Sequence, residues 1–432
     1  MKLRTLVCRS LLGACVAFSA FAQVLPKANQ PEAVGFSSDR LKRLTAVIQA
    51  DIDKGAIPGA VMLIARKGKV AYFEALGFQD REKQAAMKTD AIFRLASMTK
   101  PFTSVAIMIL VEEGKIQLDD PVSAYLPEFK NVQVGLEKVN SSTGQPELSL
   151  EPTRSQMTIQ DLLRHTSGIT YGTFGKSLVK QMYNDANVFD RTQTLQEFVS
   201  KLSKLPLAYQ PGTTWDYGMS TDVLGRVVEV VSGASFDQFI AERITKPLGL
   251  TDTGFYVTED KVGRIAEPQV DAGTGKRPAV PDVTKRPNFL SGGGGMVSTA
   301  TDYARFCQML ANGGELDGVR ILSPSTIALM TSDHLPPGVA FDPYVIQNFK
   351  SMAPMPDRGR GFGLGFAVRT HPGRSSLPGS PGLFYWGGLW GTVFWVDPKE
   401  ELLAVWMVQV PPFQGGHYRP LIRTLVYQAL LK

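Results

Sequence analysis

Residues 94–111 read Arg94-Leu95-Ala96-Ser97-Met98-Thr99-Lys100-Pro101-Phe102-Thr103-Ser104-Val105-Ala106-Ile107-Met108-Ile109-Leu110-Val111. The first half puts a serine hydroxyl and a lysine amine three residues apart, a spacing that brings both to one face of a helix. The second half is apolar on nearly all sides, as in a helix enclosed by the rest of the protein. A lysine leading such a helix needs a purpose, because burying its charge is costly. A serine hydroxyl is a weak nucleophile until a neighbour takes its proton, and a lysine whose pKa falls on desolvation can do this. Free backbone N–H groups at a helix start also favour negative charge beside the serine. Pro101 is tolerable near the first turn. Ser97 is therefore the candidate nucleophile and Lys100 its candidate base.

The same spacing recurs at Ser177-Leu178-Val179-Lys180, where polar residues follow (Gln181, Asn184, Asp185, Asn187). That context predicts a wet surface for Lys180 and no catalytic role.

Around this centre the chain reads as sheet, helices, then sheet. Ser37-Ser38 can cap a helix running through Ile52, with Leu41, Leu44, Val47, Ile48 and Ile52 on one stripe. Val61–Ala65, a Lys67-Gly68-Lys69 turn and Val70–Ala75 give a hairpin signal. Gly391–Asp397 and Leu402–Gln409 form a second strand pair near the far end, followed by an amphipathic stretch at Leu421–Leu431. Thr158–Arg164, Leu195–Leu202, Val223–Val231 and Phe236–Ile244 carry helical spacing. The pattern predicts an α+β protein, with an antiparallel sheet drawn from both termini and flanked by helices. Residues 23–95 and 290–432 would form the sheet domain, and 96–289 an inserted, mainly helical one with an extra hairpin at 131–151. The Pro- and Gly-rich stretch 336–382 is too long for a simple connection and suits a segment hanging over a site.

Composition narrows the function classes. The 432 residues are 44% hydrophobic and 20% charged, which excludes a mostly disordered or fibrous chain. Lys2, Arg4 and Arg9 precede the apolar stretch 10–22, which ends in Ala20-Phe21-Ala22, as in a cleavable export signal. Thirteen residues are too few for a membrane anchor. Leu12-Gly13-Ala14-Cys15 resembles a lipoprotein box, but too little apolar sequence precedes it. Loss of the three signal cations lowers the net charge from +6 to +3, and no basic run argues for a nucleic-acid partner. The mature chain is expected to be periplasmic or secreted, with no stable membrane insertion. Of Cys8, Cys15 and Cys307 only the last would remain, which excludes an internal disulfide and a zinc–thiolate site.

Two later segments join the serine and lysine. Pro211-Gly212-Thr213-Thr214-Trp215-Asp216-Tyr217 delivers a tyrosine ahead of an apolar helix. Tyr385-Trp386-Gly387-Gly388-Leu389 opens a strand with two glycines, where a backbone can approach a ligand closely. In that order, Ser97-x-x-Lys100, Tyr217 and a late Gly-containing triplet resemble the penicillin-binding-protein and serine β-lactamase superfamily. Within it the chain is similar to the class C β-lactamase-like hydrolases, and closest to the family VIII carboxylesterases. Further text supports the resemblance: Leu118-Asp119-Asp120-Pro121, Leu162–Gly168, Pro247-Leu248-Gly249-Leu250, and Gly292–Thr299 followed by Asp302-Tyr303.

The departures from the β-lactamase pattern point the same way. Tyr217-Gly218-Met219 stands where those enzymes have Tyr-x-Asn, and Trp386-Gly387-Gly388 replaces Lys-Thr/Ser-Gly. A cation and a hydroxyl for a β-lactam carboxylate are thus missing, at a cost of roughly 1.5–3 kcal/mol per charge-assisted hydrogen bond. Indole in their place gives an apolar wall suited to uncharged esters. With one motif lysine left, Lys100 and Tyr217 are expected to act as one coupled base. The resemblance implies an oxyanion hole from the backbone N–H groups of Ser97 and Leu389, and no metal or organic cofactor. The implied activity is hydrolysis of short-chain acyl esters by a carboxylesterase. A β-lactamase or D-amino-acid peptidase using the same serine is the alternative, with a penicillin-recognising protein without turnover as a third reading. Oligomeric state is left open.

Other motifs carry less. His165, His334, His371 and His417 invite a Ser-His-Asp reading, but no G-x-S-x-G elbow accompanies them; Pro378-Gly379-Ser380-Pro381-Gly382 lacks the first glycine. His165 is expected to serve packing or hydrogen bonding. Gly292–Gly295 lacks the GK[ST] of a phosphate loop and reads as a tight bend beside the site. The aromatic run Phe384, Tyr385, Trp386, Trp390, Phe394 and Trp395 is expected to split between an acyl-pocket wall and sheet core, because alternate strand residues face opposite sides.

Overall fold

Ser37 starts the first helix through its side-chain oxygen, which accepts the Arg40 N–H at 3.3 Å. The computed structural model describes residues 24–271, 273–411 and 415–431, so the expected export signal at 1–22 lies outside the described residues. Helix α1 (Ser38–Asp53) buries Leu41, Leu44, Ile48 and Ile52, the stripe its sequence sets out. Strand β1 (Gly59–Arg66) is buried along its whole length, and β2 (Lys69–Asp80) returns beside it. Lys67 and Gly68 link them with φ of 52° and 70°, the left-handed pair that a two-residue hairpin turn needs. A short β3 (Ala85–Ala86) edges this side of the sheet.

The chain then leaves the sheet. Helix α2 (Lys100–Glu112) is buried at every position from Lys100 to Leu110, which accounts for its nearly unbroken apolar sequence. Strands β4 (Gln133–Val139) and β5 (Pro146–Pro152) form a separate antiparallel hairpin. Helix α3 (Leu178–Asp185) follows, then α4 (Ser220–Ser232), which packs on α2, and α5 (Ala300–Ala311).

The return to the sheet uses β6 (Arg360–Phe362), β7 (Ala367–Arg369), β8 (Phe384–Gly387), β9 (Val393–Asp397) and β10 (Leu402–Val408). Helix α6 (Gly415–Tyr427) ends the fold. The eight strands lie in the order β6-β7-β8-β9-β10-β1-β2-β3, and each neighbouring pair is antiparallel. Residues from the two ends of the chain therefore meet mid-sheet, where Met62 pairs with Trp406. Helix α5 covers β1, β9 and β10 on one face, and α1 packs with α6 and β2. This is the β-lactamase/transpeptidase-like architecture that the sequence predicts.

Local boundaries differ in three places. The strand expected from Gly391 starts at Val393, because Gly388 to Gly391 is a turn closed by a 3.1 Å hydrogen bond from Gly391 N–H to the Gly388 carbonyl. The last helix starts at Gly415 and accommodates Pro420 internally, rather than starting at Leu421. The irregular stretch 336–382 contributes β6 and β7 to the sheet edge; three-residue strands among Pro and Gly carry too little alternation to read.

Candidate active site

Ser97 sits on a single 3-10 turn, Ala96–Thr99, that leads directly into α2. The turn is held from several sides. Phe93 and Arg94 pair with Ser298 and Val297, Thr99 Oγ1 accepts the Met296 N–H at 3.0 Å, and the Tyr303 hydroxyl donates to the Met98 carbonyl at 2.9 Å. Ala96, just before the serine, has φ of 45°, a conformation that residues with side chains rarely adopt. Such strain persists only where surrounding structure enforces it, and it commonly marks a functional position.

Lys100 is buried to 1% exposure, and among the described residues it forms no ion pair. Its Nζ donates to the Gly293 carbonyl at 2.7 Å and lies 3.4 Å from both Ser97 Oγ and the Tyr171 hydroxyl. The ammonium also stands 4.6 Å from the centre of the Tyr217 ring. Gly293 is positioned by Asp222, whose Oδ1 accepts from Gly293 N–H at 3.0 Å and from Ser291 Oγ at 2.5 Å. Burial raises the Asp222 carboxyl above its ordinary value, and the Lys100 charge works against that rise.

Tyr217 is buried, and its phenolic oxygen accepts the Trp386 indole N–H at 3.2 Å. Trp386 thus supplies a donor to the phenol as well as an apolar wall. Among the described residues no hydrogen bond joins Tyr217 to Ser97; Lys100 lies between their roles, within reach of one group's oxygen and the other's ring. His165 packs on Tyr217 with ring centres 4.8 Å apart. Burial, and secondarily the Lys100 charge, hold its imidazole well below its ordinary pKa, so it is a neutral packing partner here.

A cavity of about 510 Å³ opens over the serine. Ser97, Tyr217, Trp386, Gly387, Gly388 and Leu389 all line it, while Lys100 lies beneath its floor. Phe174, Phe189, Phe349, Met352 and Trp390 contribute to its apolar wall. The aromatic run does divide, but by position along the strand rather than by alternation: Trp386 at the end of β8 and Trp390 in the following turn reach the cavity, whereas Phe384, on the same strand face as Trp386, and Tyr385, Phe394 and Trp395 are buried in the sheet. Phe349 and Met352 come from the irregular stretch at 336–382, part of which does hang over the serine.

The two glycines have separate physical reasons. A Cβ on Gly388 would lie 2.1 Å from the Leu95 carbonyl oxygen, two residues before the serine. A Cβ on Gly387 would lie 3.0 Å from Arg419 Nε. Strand β8 can close on the serine turn only without a side chain at Gly388, while a side chain at Gly387 would press on the Thr392 carbonyl oxygen at 2.9 Å and on Arg419.

Sequence reasoning missed four participants: Tyr171, the Gly293 carbonyl, Asp222 and Arg419. Asp222 left a signal, a carboxylate among the apolar residues of a helix, and Gly293 lies in the Gly292–Gly295 bend expected beside the site; Tyr171 and Arg419 left none. It also misread Lys180, which is buried rather than wet. Lys180 Nζ pairs with Asp342 at 2.7 Å and lies 3.8 Å from Asp216, while Ser177 caps α3 through the Lys180 N–H. Its motif match is thus a capping serine and a structural ion pair. Among the described residues no group of three or more His, Cys, Asp or Glu side chains could hold a metal ion, and no helix is long and apolar enough to cross a membrane.

The family model described as Beta-lactamase matches residues 44–427. The chain is 31% identical over 412 residues to the esterase EstB of Burkholderia gladioli, covering 89% of this chain and 94% of that protein. It is 32% identical over 391 residues to a lovastatin esterase of Penicillium rubens, covering 86% and 94%. Among solved structures, EstCE1, described as a hydrolase with promiscuous acyltransferase activity, superposes with a TM-score of 0.73 at 30% identity, over 90% of this chain and 98% of that one. With that match spanning nearly the whole described fold, the chain belongs to the Beta-lactamase family, as a β-lactamase-fold serine hydrolase with esterases among its relatives.

Proposed function

We propose that this chain is a carboxylesterase of the family VIII type, in which Ser97 forms an acyl-enzyme and the Lys100/Tyr217 pair is its base. The observation that carries the reading is the 3.4 Å approach of the buried Lys100 Nζ to Ser97 Oγ beneath an aromatic-walled cavity. In the cycle, the pair takes the Ser97 proton as Oγ attacks the ester carbonyl. The oxyanion lies against the N–H groups of Ser97 and Leu389; the first is left unpaired by its place at a helix start. The alcohol leaves with the proton returned through Tyr217, and water, deprotonated by the same pair, releases the acid. The aromatic and apolar wall favours short-chain acyl esters with an uncharged acyl group, with Arg94, Arg191 and Arg419 as the cationic residues of the lining. Residues 1–22 fit export to the periplasm or medium, and the sheet and helical portions fit domains at 23–95 with 290–432 and at 96–289.

The test compares p-nitrophenyl butyrate with a chromogenic cephalosporin on the wild type, Ser97→Ala and Lys100→Ala. Ester turnover that falls at least 100-fold in both variants supports the reading. Fast cephalosporin turnover with negligible ester turnover would reverse it in favour of a β-lactamase or D-amino-acid peptidase. A stable Ser97 adduct without turnover would instead identify a penicillin-recognising protein. Near-normal ester turnover in Lys100→Ala would remove the coupled base.

A further inference from the structure

Arg419, on α6, reaches across the end of β8, and its Nη2 donates to the Gly388 carbonyl at 2.5 Å. Its side chain lines the same cavity as Ser97, and among the described residues no carboxylate pairs with it. A guanidinium half-buried without a counter-ion is costly, and desolvation pushes its pKa down to about 10. The Gly388 carbonyl accepts a second hydrogen bond, from Gly391 N–H at 3.1 Å. That carbonyl belongs to the same planar peptide unit as the Leu389 N–H, and in a trans peptide the two point in opposite directions. Whatever fixes the oxygen therefore fixes the hydrogen.

We propose that Arg419 is a positioning residue for the oxyanion hole: it grips the carbonyl end of the Gly388–Leu389 peptide and so aims and polarises the Leu389 N–H. This rests on the reading of Ser97 and Leu389 given above. A charge-assisted bond at the carbonyl draws electron density along the amide, leaving its N–H more positive and a stronger donor. The absence of a side chain at Gly387 belongs to the same device. A Cβ there would meet the Thr392 carbonyl oxygen at 2.9 Å, Arg419 Nε at 3.0 Å and Cζ at 3.2 Å, so a side chain would press on the guanidinium and on the neighbouring strand together. The strand end is clamped between Leu95 on one side and Arg419 on the other.

The experiment compares an oxoester with its thionoester (C=S) analogue on the wild type, Arg419→Lys, Arg419→Gln and Gly387→Ala. Sulfur accepts hydrogen bonds weakly, so the oxo-to-thiono ratio of kcat reports on the oxyanion hole and is indifferent to general loss of stability. Both Arg419 variants are expected to lose roughly 10- to 100-fold in kcat, with KM within about threefold and the ratio reduced about tenfold. Arg419→Lys, which keeps the charge, should retain more than Arg419→Gln. Gly387→Ala crowds the guanidinium without removing the cation, and also the Thr392 carbonyl that pairs with Gly388 N–H; it should reduce the ratio too, so the proposal stays testable if the Arg419 variants fail to fold. An unchanged ratio in a folded variant, or a loss confined to KM, overturns it. Ester turnover surviving in Ser97→Ala would instead defeat the underlying reading of the serine.

Discussion

The indole N–H of Trp386 donates to the phenolic oxygen of Tyr217 at 3.2 Å, with both side chains buried. In the β-lactamase pattern this triplet position carries a lysine, so a neutral donor now occupies the place of a cation. A hydrogen bond donated to the phenolic oxygen holds the ring in place and stabilises negative charge that develops on that oxygen during reaction.

Trp386→Phe keeps the aromatic wall and removes the donor. A net hydrogen bond of about 0.5–1.5 kcal/mol corresponds to a fall in kcat of roughly 2- to 12-fold at neutral pH. Steady-state kinetics on both proteins check this; an unchanged kcat would mean the bond is structural only.

Asp222 reaches the serine only through Gly293, which donates its N–H to the carboxylate and whose carbonyl accepts a hydrogen bond from Lys100 Nζ. Asp222→Asn keeps an acceptor but removes the negative charge facing Lys100. Stability should fall by about 1–3 kcal/mol, the cost of disturbing a buried, charged hydrogen-bond group. In the folded variant kcat should drop about tenfold with KM little changed. Urea unfolding alongside steady-state kinetics tests both parts, and a stable variant with normal kcat would show that Gly293 holds its place unaided.

Asp216 precedes Tyr217, and burial raises its carboxyl to about 7, against the pull of Lys180 and with the help of the Asp342 charge. In the unfolded chain the group loses its proton near 3.8, so between those values the folded protein holds the extra proton. Its contribution to stability is therefore complete at low pH and is lost as pH rises towards 7, by up to about 1.4 kcal/mol per pH unit. Asp216→Asn removes this slope. Its stability relative to wild type should climb from pH 4 to pH 7 and then level off. Denaturation midpoints at four pH values decide the matter, and a difference independent of pH would contradict the assignment.

Legibility in the sequence followed distance along the chain. Ser97 and Lys100 could be paired because three residues on a helix define their geometry locally. The Lys67-Gly68 hairpin and the buried α2 were legible for similar reasons, one from turn chemistry and the other from an apolar run. Tyr217 and Trp386-Gly387-Gly388 came through their order relative to Ser97, which points to the superfamily rather than to any contact. Tyr171 and Arg419 could not be found that way, since each reaches the site from an element whose own pattern is unremarked. The Gly293 carbonyl has no letter at all. Lys180 shows the opposite failure: its neighbours in sequence are polar, but Asp342, far along the chain, draws it into a buried pair.

What the amino-acid order decided by itself is the pairing of a hydroxyl with an amine, the strand and helix periods, and the exchange of a lysine for an indole. All are short-range or compositional, so no folding is needed to read them. Only the closed structure decided which oxygen atoms surround Lys100, why Gly387 and Gly388 tolerate no side chain, and where an unpaired guanidinium comes to rest. Those outcomes depend on backbone atoms and buried charges brought together across hundreds of residues, where excluded volume and desolvation select one arrangement.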